Sequence, residues 1–322
     1  MKKSICLILS ILLLLSFAGC GDETVSSKTP LPGGAGNYQV GDFKYQVQED
    51  GTAFVKYVGE DSNVVFPEEI SGYKVTGIQA RSCRGNKTLR KVTIPSSVKT
   101  IEPEVFQSCT FLHTVVLNNG LVSIGGGAFM DCTALENITL PESLETIGID
   151  AFSSCSSLKS IHIPKNVKNI ERYCFFRAGL ESVTFDEGVE KIGDNAFAAT
   201  KTSEITFPKT LKILGHQALA NNENLVKVSL NEGLETMDSQ IFTECNKLIE
   251  ITIPSTVKNM TEFVFHNNTS IKIVKFNGDA PEKYVDPDTK IRIYSSNYTV
   301  YYHKGAKGFT SPTWNGYKTE IW

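Results

Sequence analysis

The chain has 322 residues, of which 41% are hydrophobic and 21% charged, and its formal net charge is -3 with a pI near 6.0. This composition is typical of a globular protein with a substantial core, and it excludes a disordered chain. Because the charge is slightly negative and no basic run carries interleaved aromatics, we expect no nucleic-acid partner.

An apolar run near the N-terminus predicts export. It extends from Ile5 to Ala18 after two lysines, and it is too short and wrongly flanked for a membrane-spanning helix but suits a secretory signal. The run ends in LSFAGC, which resembles the lipobox of bacterial lipoproteins, although Phe17 stands where Leu is usual. The resemblance implies a signal peptide, cleavage before Cys20 and a diacylglycerol on the Cys20 sulfur. The alternative is an ordinary signal peptide and a freely secreted protein.

The segment from Gly21 to Asn37 is rich in Ser, Thr, Gly and Pro and has no aromatic residue. Such a segment does not bury enough apolar surface to become ordered. We therefore interpret it as a tether that reaches roughly 20 to 25 Å from the lipid headgroups.

A unit of 22 or 23 residues then recurs along most of the chain. A fixed period in the twenties indicates a solenoid. A longer first unit begins at Asp61. The later units begin at Leu89, Leu112, Leu135, Leu158, Leu180, Thr202, Leu225, Leu248 and Ile271.

The pattern within a unit predicts its local structure. In the unit from Leu135, Ile138 and Leu140 at positions 4 and 6 alternate with polar neighbours, which predicts a short strand with these two side chains inside. Proline, Asn or Asp at position 7 ends the strand, and Gly148 at position 14 marks a second bend. The Ala-Phe pair at positions 17 and 18 favours a short helical turn on the outer side. Since a single unit cannot cover its own apolar edges, the same residues recur so that each coil fits the next.

The pattern L-x-x-I-x-I-P-x-x-V-x-x-I-G-x-x-A-F-x-x-C resembles the BspA-like leucine-rich repeats of bacterial surface proteins, over Asp61 to about Asn277. FKYQVQEDGTAFVKYVG resembles the N-terminal hairpin cap of that family, and VYYHKGAKGFTSPTWNGY resembles its closing segment. The resemblance implies a repeat solenoid, a right-handed coil of short parallel strands with turns and short helical segments, capped at both ends by β-rich segments. We expect a signal peptide (1–19), lipidated Cys and tether (20–37), N-terminal β-hairpin cap (38–60), a solenoid of about nine to ten units (61–277) and a C-terminal cap (278–322).

Position 21 predicts an inward ladder of small polar side chains that hydrogen-bond to loop amides. Its members are Asn86, Cys109, Cys132, Cys155, Thr200, Asn222, Cys245 and Asn268. Cys83 and Cys174 occupy apolar positions instead, so we expect free, buried thiols. The alternative is a disulfide between successive ladder residues, although their Cβ atoms at strand spacing lie slightly too far apart. The cysteine spacing lacks the close pairs of a zinc site.

The histidines give no sign of a catalytic centre. No two of them share a repeat position, and the sequence contains no metalloprotease, serine-hydrolase or phosphate-loop motif. We therefore expect no enzymatic activity, no cofactor and no metal site. The histidines are His113, His162, His216, His266 and His303.

The outward positions of the strands are the candidate binding face. The residues at position 5 that define it are Thr93, Thr139, His162, Thr184, Thr206, Ser229 and Thr252. The alternative interpretation is that Thr simply suits an exposed strand and forms cross-strand pairs. A second candidate is the aromatic C-terminal segment, whose alternative role is to cap the last coil. Its aromatic residues are Tyr298, Tyr301, Tyr302, Trp314, Tyr317 and Trp322.

Together these features predict a cell-surface protein held on the outer face of a membrane by lipid on Cys20. Its expected role is adhesion, with the solenoid engaging an extracellular protein of a host or neighbouring cell. Two alternatives remain open, namely a carbohydrate-binding module that holds polysaccharide and a structural spacer without its own ligand.

Overall fold

The computed structural model describes residues 38–261, 263–265, 267–283 and 298–322. These residues form a β-solenoid of about 11 turns of short parallel strands, which confirms the predicted repeat solenoid. The predicted signal peptide, lipidated cysteine and tether lie outside the described residues, as does His266.

The strands stack in two columns because each coil repeats the same apolar positions one period later. The first column, at repeat positions 3 to 6, contains β4 (Asn63–Val65), β7 (Lys91–Ile94), β9 (Thr114–Leu117), β11 (Asn137–Ile138), β13 (Ser160–Ile163), β15 (Ser182–Phe185), β17 (Glu204–Thr206), β19 (Lys227–Ser229), β21 (Glu250–Ile253), β23 (Ile273–Phe276), β25 (Thr299–Tyr302) and β27 (Tyr317–Ile321). Neighbouring strands are parallel, with Lys91 opposite Thr114 and Ser160 opposite Ser182.

The second column follows the bend after position 7. It contains β6 (Tyr73–Ile78), β8 (Thr100–Ile101), β10 (Ser123–Ile124), β12 (Thr146–Ile147), β14 (Asn169–Ile170), β16 (Lys191–Ile192), β18 (Ile213–Leu214), β20 (Thr236–Met237), β22 (Asn259–Met260) and β24 (Glu282–Lys283). The remaining strands are β1 (Tyr38–Val40), β2 (Phe43–Val47), β3 (Ala53–Tyr57), β5 (Glu69–Ile70) and β26 (Thr313–Trp314).

The core runs along the axis between the two columns and the outer wall. Position 18 shows the packing most clearly, since five of its phenylalanine rings stack with centroids 5.2 to 5.4 Å apart and planes 4 to 13° from parallel. These rings belong to Phe106, Phe129, Phe152, Phe175 and Phe197. The spacing is close to that of stacked strands, so one ring per coil fills the same place in each of these five layers.

The outer wall consists of turns and contains no helix among the described residues, so the predicted short helical segments are wrong. Positions 16 and 20 have a positive φ in successive coils, for example 56° at Asp150 and 60° at Ser154. A left-handed residue at every fourth position interrupts the run of right-handed residues that a helix requires. As a result, alternate amides bond locally and across coils: Ser153 N–H donates to Asp150 O, whereas Phe152 N–H donates to Cys174 O at 2.8 Å.

The cross-coil hydrogen bonds of the outer wall form three parallel files, at positions 16, 18 and 20. In each file, an N–H group of one coil donates to a carbonyl of the next, as Glu104 does to Gly126, Phe106 to Ala128 and Ser108 to Met130. Each accepting peptide donates in turn to the following coil, so the peptides of a file point the same way along the axis.

The strand columns, by contrast, are interrupted. Within the described strands, the first column divides into four sheets, with breaks between β11 and β13, β15 and β17, and β19 and β21. The second column has one break, between β12 and β14. Both columns therefore open between the coils that begin at Leu135 and Leu158. The outer wall continues across this gap through bonds from Asp150, Phe152 and Ser154.

The two ends of the chain extend the stack. β1 to β3 form an antiparallel meander, and β3 joins the second column by parallel pairing with β6. At the other end, β25 and β27 continue the first column in parallel, and β26 folds back on β27. These additions lengthen the stack of strands at both ends.

Candidate functional site: the strand face

The predicted binding face lies on the outside of the first column. The side chains of Thr139, His162, Thr184 and Thr206 are exposed, and those of Thr93, Ser229 and Thr252 are half-buried. Their neighbours at positions 4 and 6 point into the core, for example Ile161 and Ile163, because successive side chains of a strand face opposite ways.

The structure brings some of these residues together and separates others. His162 lies opposite Thr184, with its Nδ1 atom 3.0 Å from the Thr184 hydroxyl oxygen, and Thr206 lies opposite Ser229. Thr139 follows the end of β11 and has no cross-strand partner in the described ladders. The predicted face is therefore a set of short patches separated by the breaks in the column.

One of these breaks forms a groove. Between β19 and β21, a depression of about 470 Å³ is lined by Val226, Lys227, Val228, Ser229, Leu230, Glu250, Ile251 and Thr252. Two large apolar side chains are exposed beside it: 47% of the surface of Val226 and 56% of that of Ile249 face solvent. They occupy position 2 of adjacent coils, where Val226 lines the groove and Ile249 precedes the lining residue Glu250, and we call them the apolar pair.

The sequence prediction missed this apolar pair, because it counted position 2 among the outward positions but took its candidate residues from position 5. Position 2 carries polar or charged residues in the preceding units, including Arg90, Glu136 and Lys159. Two consecutive units with an apolar residue at this otherwise polar position were the signal that could have identified the pair.

Charged side chains surround the groove. Lys227 Nζ lies 3.9 Å from a Glu204 carboxylate oxygen, and Lys275 pairs with Glu250. The Lys275 ammonium also lies 5.3 Å from the ring centroid of Trp322. Exposed pairs of this kind add little to stability, but they place both signs of charge around an apolar centre. That is the usual arrangement of a protein-binding surface.

The outer wall presents a different cluster. The sequence RYCFFR places Tyr173 and Phe176 in edge-to-face contact, with ring centroids 5.3 Å apart. The guanidinium of Arg172 lies 5.4 Å from the Tyr173 ring, and that of Arg177 lies 5.0 Å from the Phe176 ring. We call these four residues the outer cluster. They are of the types enriched in binding hot spots.

The position 21 residues are buried except for Asn86, which is half-buried, and their side chains form hydrogen bonds within the coil. The Cys132 and Cys155 thiols donate to the carbonyls of Phe106 and Phe129, and the distance from sulfur to oxygen is 3.1 Å in both bonds. Cys109 and Cys245 make the equivalent bonds to Cys83 and Leu219. Three further members act through oxygen: Asn86 and Asn268 accept from backbone N–H groups, and the Thr200 hydroxyl donates to Asn222.

All six cysteines of the described residues are free and buried. Burial raises the pKa of the Cys83, Cys109 and Cys245 thiols from 9.0 to about 12, and it raises that of Cys132 well above its usual range. Because the thiolate is the reactive form, burial and the raised pKa both disfavour reaction of these thiols at neutral pH.

The aromatic C-terminal segment packs mainly as a cap. Tyr298 is buried and stacks on Tyr317 with centroids 4.4 Å apart, and Trp314 forms an edge-to-face pair with Phe276, with centroids 5.8 Å apart. Trp322 remains 48% exposed, stacked on His303. In the described residues, no helix is long and apolar enough to cross a membrane.

The stacked parallel strands, the repeated apolar positions and the inward ladder define a leucine-rich-repeat solenoid. The family model for the BspA type leucine rich repeat region matches residues 76–202 and 190–283. The chain belongs to this family.

Solved structures have the same fold. A leucine rich cell surface protein from Faecalibacterium prausnitzii is 18% identical and superimposes with a TM-score of 0.57, covering 88% of this chain and 97% of the other. A leucine rich repeat protein from T. pallidum is 28% identical with a TM-score of 0.51, covering 66% of this chain and 91% of the other. No curated protein sequence matches the chain significantly.

Proposed function

We propose that the protein is a lipid-anchored bacterial surface protein whose solenoid binds an extracellular protein through the strand face. The observation that carries the proposal is the apolar pair Val226 and Ile249 beside the groove between β19 and β21. Exposed apolar side chains next to a concave surface, with charges around them, fit an apolar anchor residue of a protein partner.

Further observations support the same function. The lipobox-like sequence before Cys20 and the tether up to Asn37 would hold the solenoid away from the membrane. The relative from F. prausnitzii is described as a cell surface protein. The outward positions of the described strands from β7 to β21 carry no Phe, Tyr or Trp, whereas a polysaccharide-binding face would use a row of exposed aromatics.

The test compares the full-length protein with matched variants. The protein, purified in detergent, is screened by biolayer interferometry against a panel of purified extracellular matrix proteins, and a glycan array is run in parallel. For any protein that binds, we expect Val226→Lys combined with Ile249→Lys to weaken binding at least tenfold, because two charged groups then replace the exposed apolar surface that the partner would cover. The control is Ile149→Lys, since Ile149 is 44% exposed on the outer wall.

Each result has a definite meaning. The strand-face site would be refuted if Ile149→Lys lowered the affinity as much as the Val226 and Ile249 double variant does. It would also be refuted if the double variant kept the original affinity. If Arg172→Ala combined with Phe176→Ala lowered the affinity and the Val226 and Ile249 double variant did not, the partner would bind the outer cluster instead. Binding to glycans alone would replace the protein partner by polysaccharide.

A further inference from the structure

Three side chains from three successive coils converge where the strand columns open. Glu142 belongs to the coil before the gap, His162 lies in β13 after it, and Asp186 directly follows β15. One potential ligand atom from each lies within 4.8 Å of the other two. We propose that Glu142, His162 and Asp186 form a binding site for a divalent transition-metal ion of the zinc class.

The distances suit such an ion. The His162 Nε2 atom lies 3.4 Å from Asp186 Oδ2. Two ligands of a tetrahedral zinc ion, each bonded at about 2.0 to 2.1 Å, lie roughly 3.3 to 3.4 Å apart. Glu142 is exposed, so its side chain can rotate to close the remaining distance.

The charges also favour a cation at this position. The carboxylates of Glu142 and Asp186 approach each other, and like charges at this separation repel. In the ion pairs of the described residues, neither carboxylate pairs with Lys or Arg, and Asp186 pairs with His162. A bound divalent ion would neutralise both carboxylates.

A hydrogen bond positions the imidazole. The His162 Nδ1 atom lies 3.0 Å from the Thr184 hydroxyl oxygen on the neighbouring strand. When Nδ1–H donates to this hydroxyl, the lone pair of Nε2 faces Asp186 and the metal position. Metal-binding histidines are commonly oriented in this way by a hydrogen bond from the other ring nitrogen.

The ligand set indicates the kind of metal and its consequence. One imidazole with two carboxylates suits Zn²⁺ and related ions, whereas Ca²⁺ and Mg²⁺ prefer oxygen ligands alone. Because Glu142 lies on one side of the gap between β11 and β13 and the other two ligands lie on the opposite side, the ion would link coils that lack strand pairing there. The proposal departs from the sequence prediction of no metal site, which considered the spacing of cysteines and histidines along the chain and did not compare residues of neighbouring coils.

The test uses Co²⁺ as a spectroscopic probe and Zn²⁺ in calorimetry, with the full-length protein in detergent. We expect one saturable Co²⁺ site with visible bands of nitrogen and oxygen ligation, which Zn²⁺ displaces. His162→Ala, Glu142→Gln and Asp186→Asn should each weaken Zn²⁺ binding at least tenfold. The control His113→Ala removes another exposed imidazole and should bind as the original chain does.

Hydrogen exchange provides a second measurement. Saturation with Zn²⁺ should slow amide exchange in β11 and β13, and this slowing should be lost in His162→Ala. Three outcomes would overturn the proposal: no saturable binding, unchanged binding in all three ligand variants, or thiolate charge-transfer bands that place the metal on cysteine.

Discussion

Replacing Asn222 with Ala tests whether the position 21 ladder stabilises the solenoid. Asn222 is fully buried, and its amide group makes four hydrogen bonds. Its oxygen accepts from Thr200 N–H at 2.9 Å and from the Thr200 hydroxyl at 2.6 Å. Its nitrogen donates to the carbonyls of Phe197 at 2.9 Å and Leu219 at 2.8 Å.

The expected loss follows from these four bonds. Each contributes about 1 kcal/mol net, and a buried group left without a partner costs about 1 to 3 kcal/mol. The substitution leaves the Thr200 N–H and the Phe197 carbonyl buried without their partner from Asn222, so we expect the free energy of unfolding to fall by roughly 3 to 5 kcal/mol. This is a large part of the total stability of a typical protein.

The matched variant is Asn222→Cys, because cysteine occupies the same position in other coils. The Cys245 thiol donates to the Leu219 carbonyl oxygen, with a sulfur-to-oxygen distance of 3.1 Å. A cysteine at position 222 would donate in the same way to the Phe197 carbonyl. The cysteine would retain one of the four hydrogen bonds and fill part of the space. The free energy of unfolding should therefore fall by about half as much as in the Ala variant.

Both variants are measured by urea denaturation followed by far-UV circular dichroism, together with hydrogen exchange of the Thr200 amide. The slope of free energy against urea must stay constant for the values to be comparable. A loss below about 1 kcal/mol in Asn222→Ala, or equal losses in the two variants, would refute the role of the ladder.

Three further predictions concern other parts of the molecule. Gly148→Ala should lower the free energy of unfolding by roughly 1 to 3 kcal/mol, because its new Cβ would lie 2.5 Å from the Gly126 nitrogen; Glu171→Ala, at a position 14 that already has a Cβ, is the control in the same urea experiment. Burial raises the pKa of the Cys245 thiol from 9.0 to about 12, so as the pH rises this thiol loses its proton in the unfolded chain before it does so in the folded chain. The free energy of unfolding therefore falls as the pH rises from about 9 to about 12. In Cys245→Asn, the urea midpoint should fall less steeply over this pH range. Cys20→Ser should abolish incorporation of a labelled fatty acid into the protein expressed in bacteria, and label retained in this variant would contradict lipid attachment at Cys20.

The strand columns and the core could be predicted from the sequence because the repeat fixes them. When the same apolar side chain recurs at one position of successive units, it packs against the equivalent side chain of the next coil, as the stacked rings of Phe129 and Phe152 show. The small polar residues of position 21 could be placed inside for the same reason.

The outer wall could not be predicted in this way. Its turns depend on positive φ angles at residues such as Asp150, Tyr173 and Arg177, and Tyr and Arg have no local preference for this conformation. The cross-coil hydrogen bonds hold these residues in place, and such bonds involve residues one full repeat apart. A local pattern of Ala and Phe therefore suggested a helix that the assembled coil does not form.

The breaks in the strand columns were equally invisible in the sequence. β11 and β13 have the same alternating pattern as strands that do pair, and their separation depends on the relative position of whole coils. The convergence of Glu142, His162 and Asp186 and the groove beside Val226 both depend on these breaks, so neither could be derived from one unit of sequence.

The three files of aligned peptides give the outer wall an electrical polarity. In an α-helix, one set of aligned peptide dipoles leaves partial positive charge at one end and partial negative charge at the other. Here the N–H groups of three adjacent files all point toward the C-terminal end, so that end of the outer wall carries partial positive charge and the N-terminal end carries partial negative charge. An acidic group of a neighbouring molecule would therefore be attracted to the C-terminal end of the wall, and a basic group to the end nearest the tether.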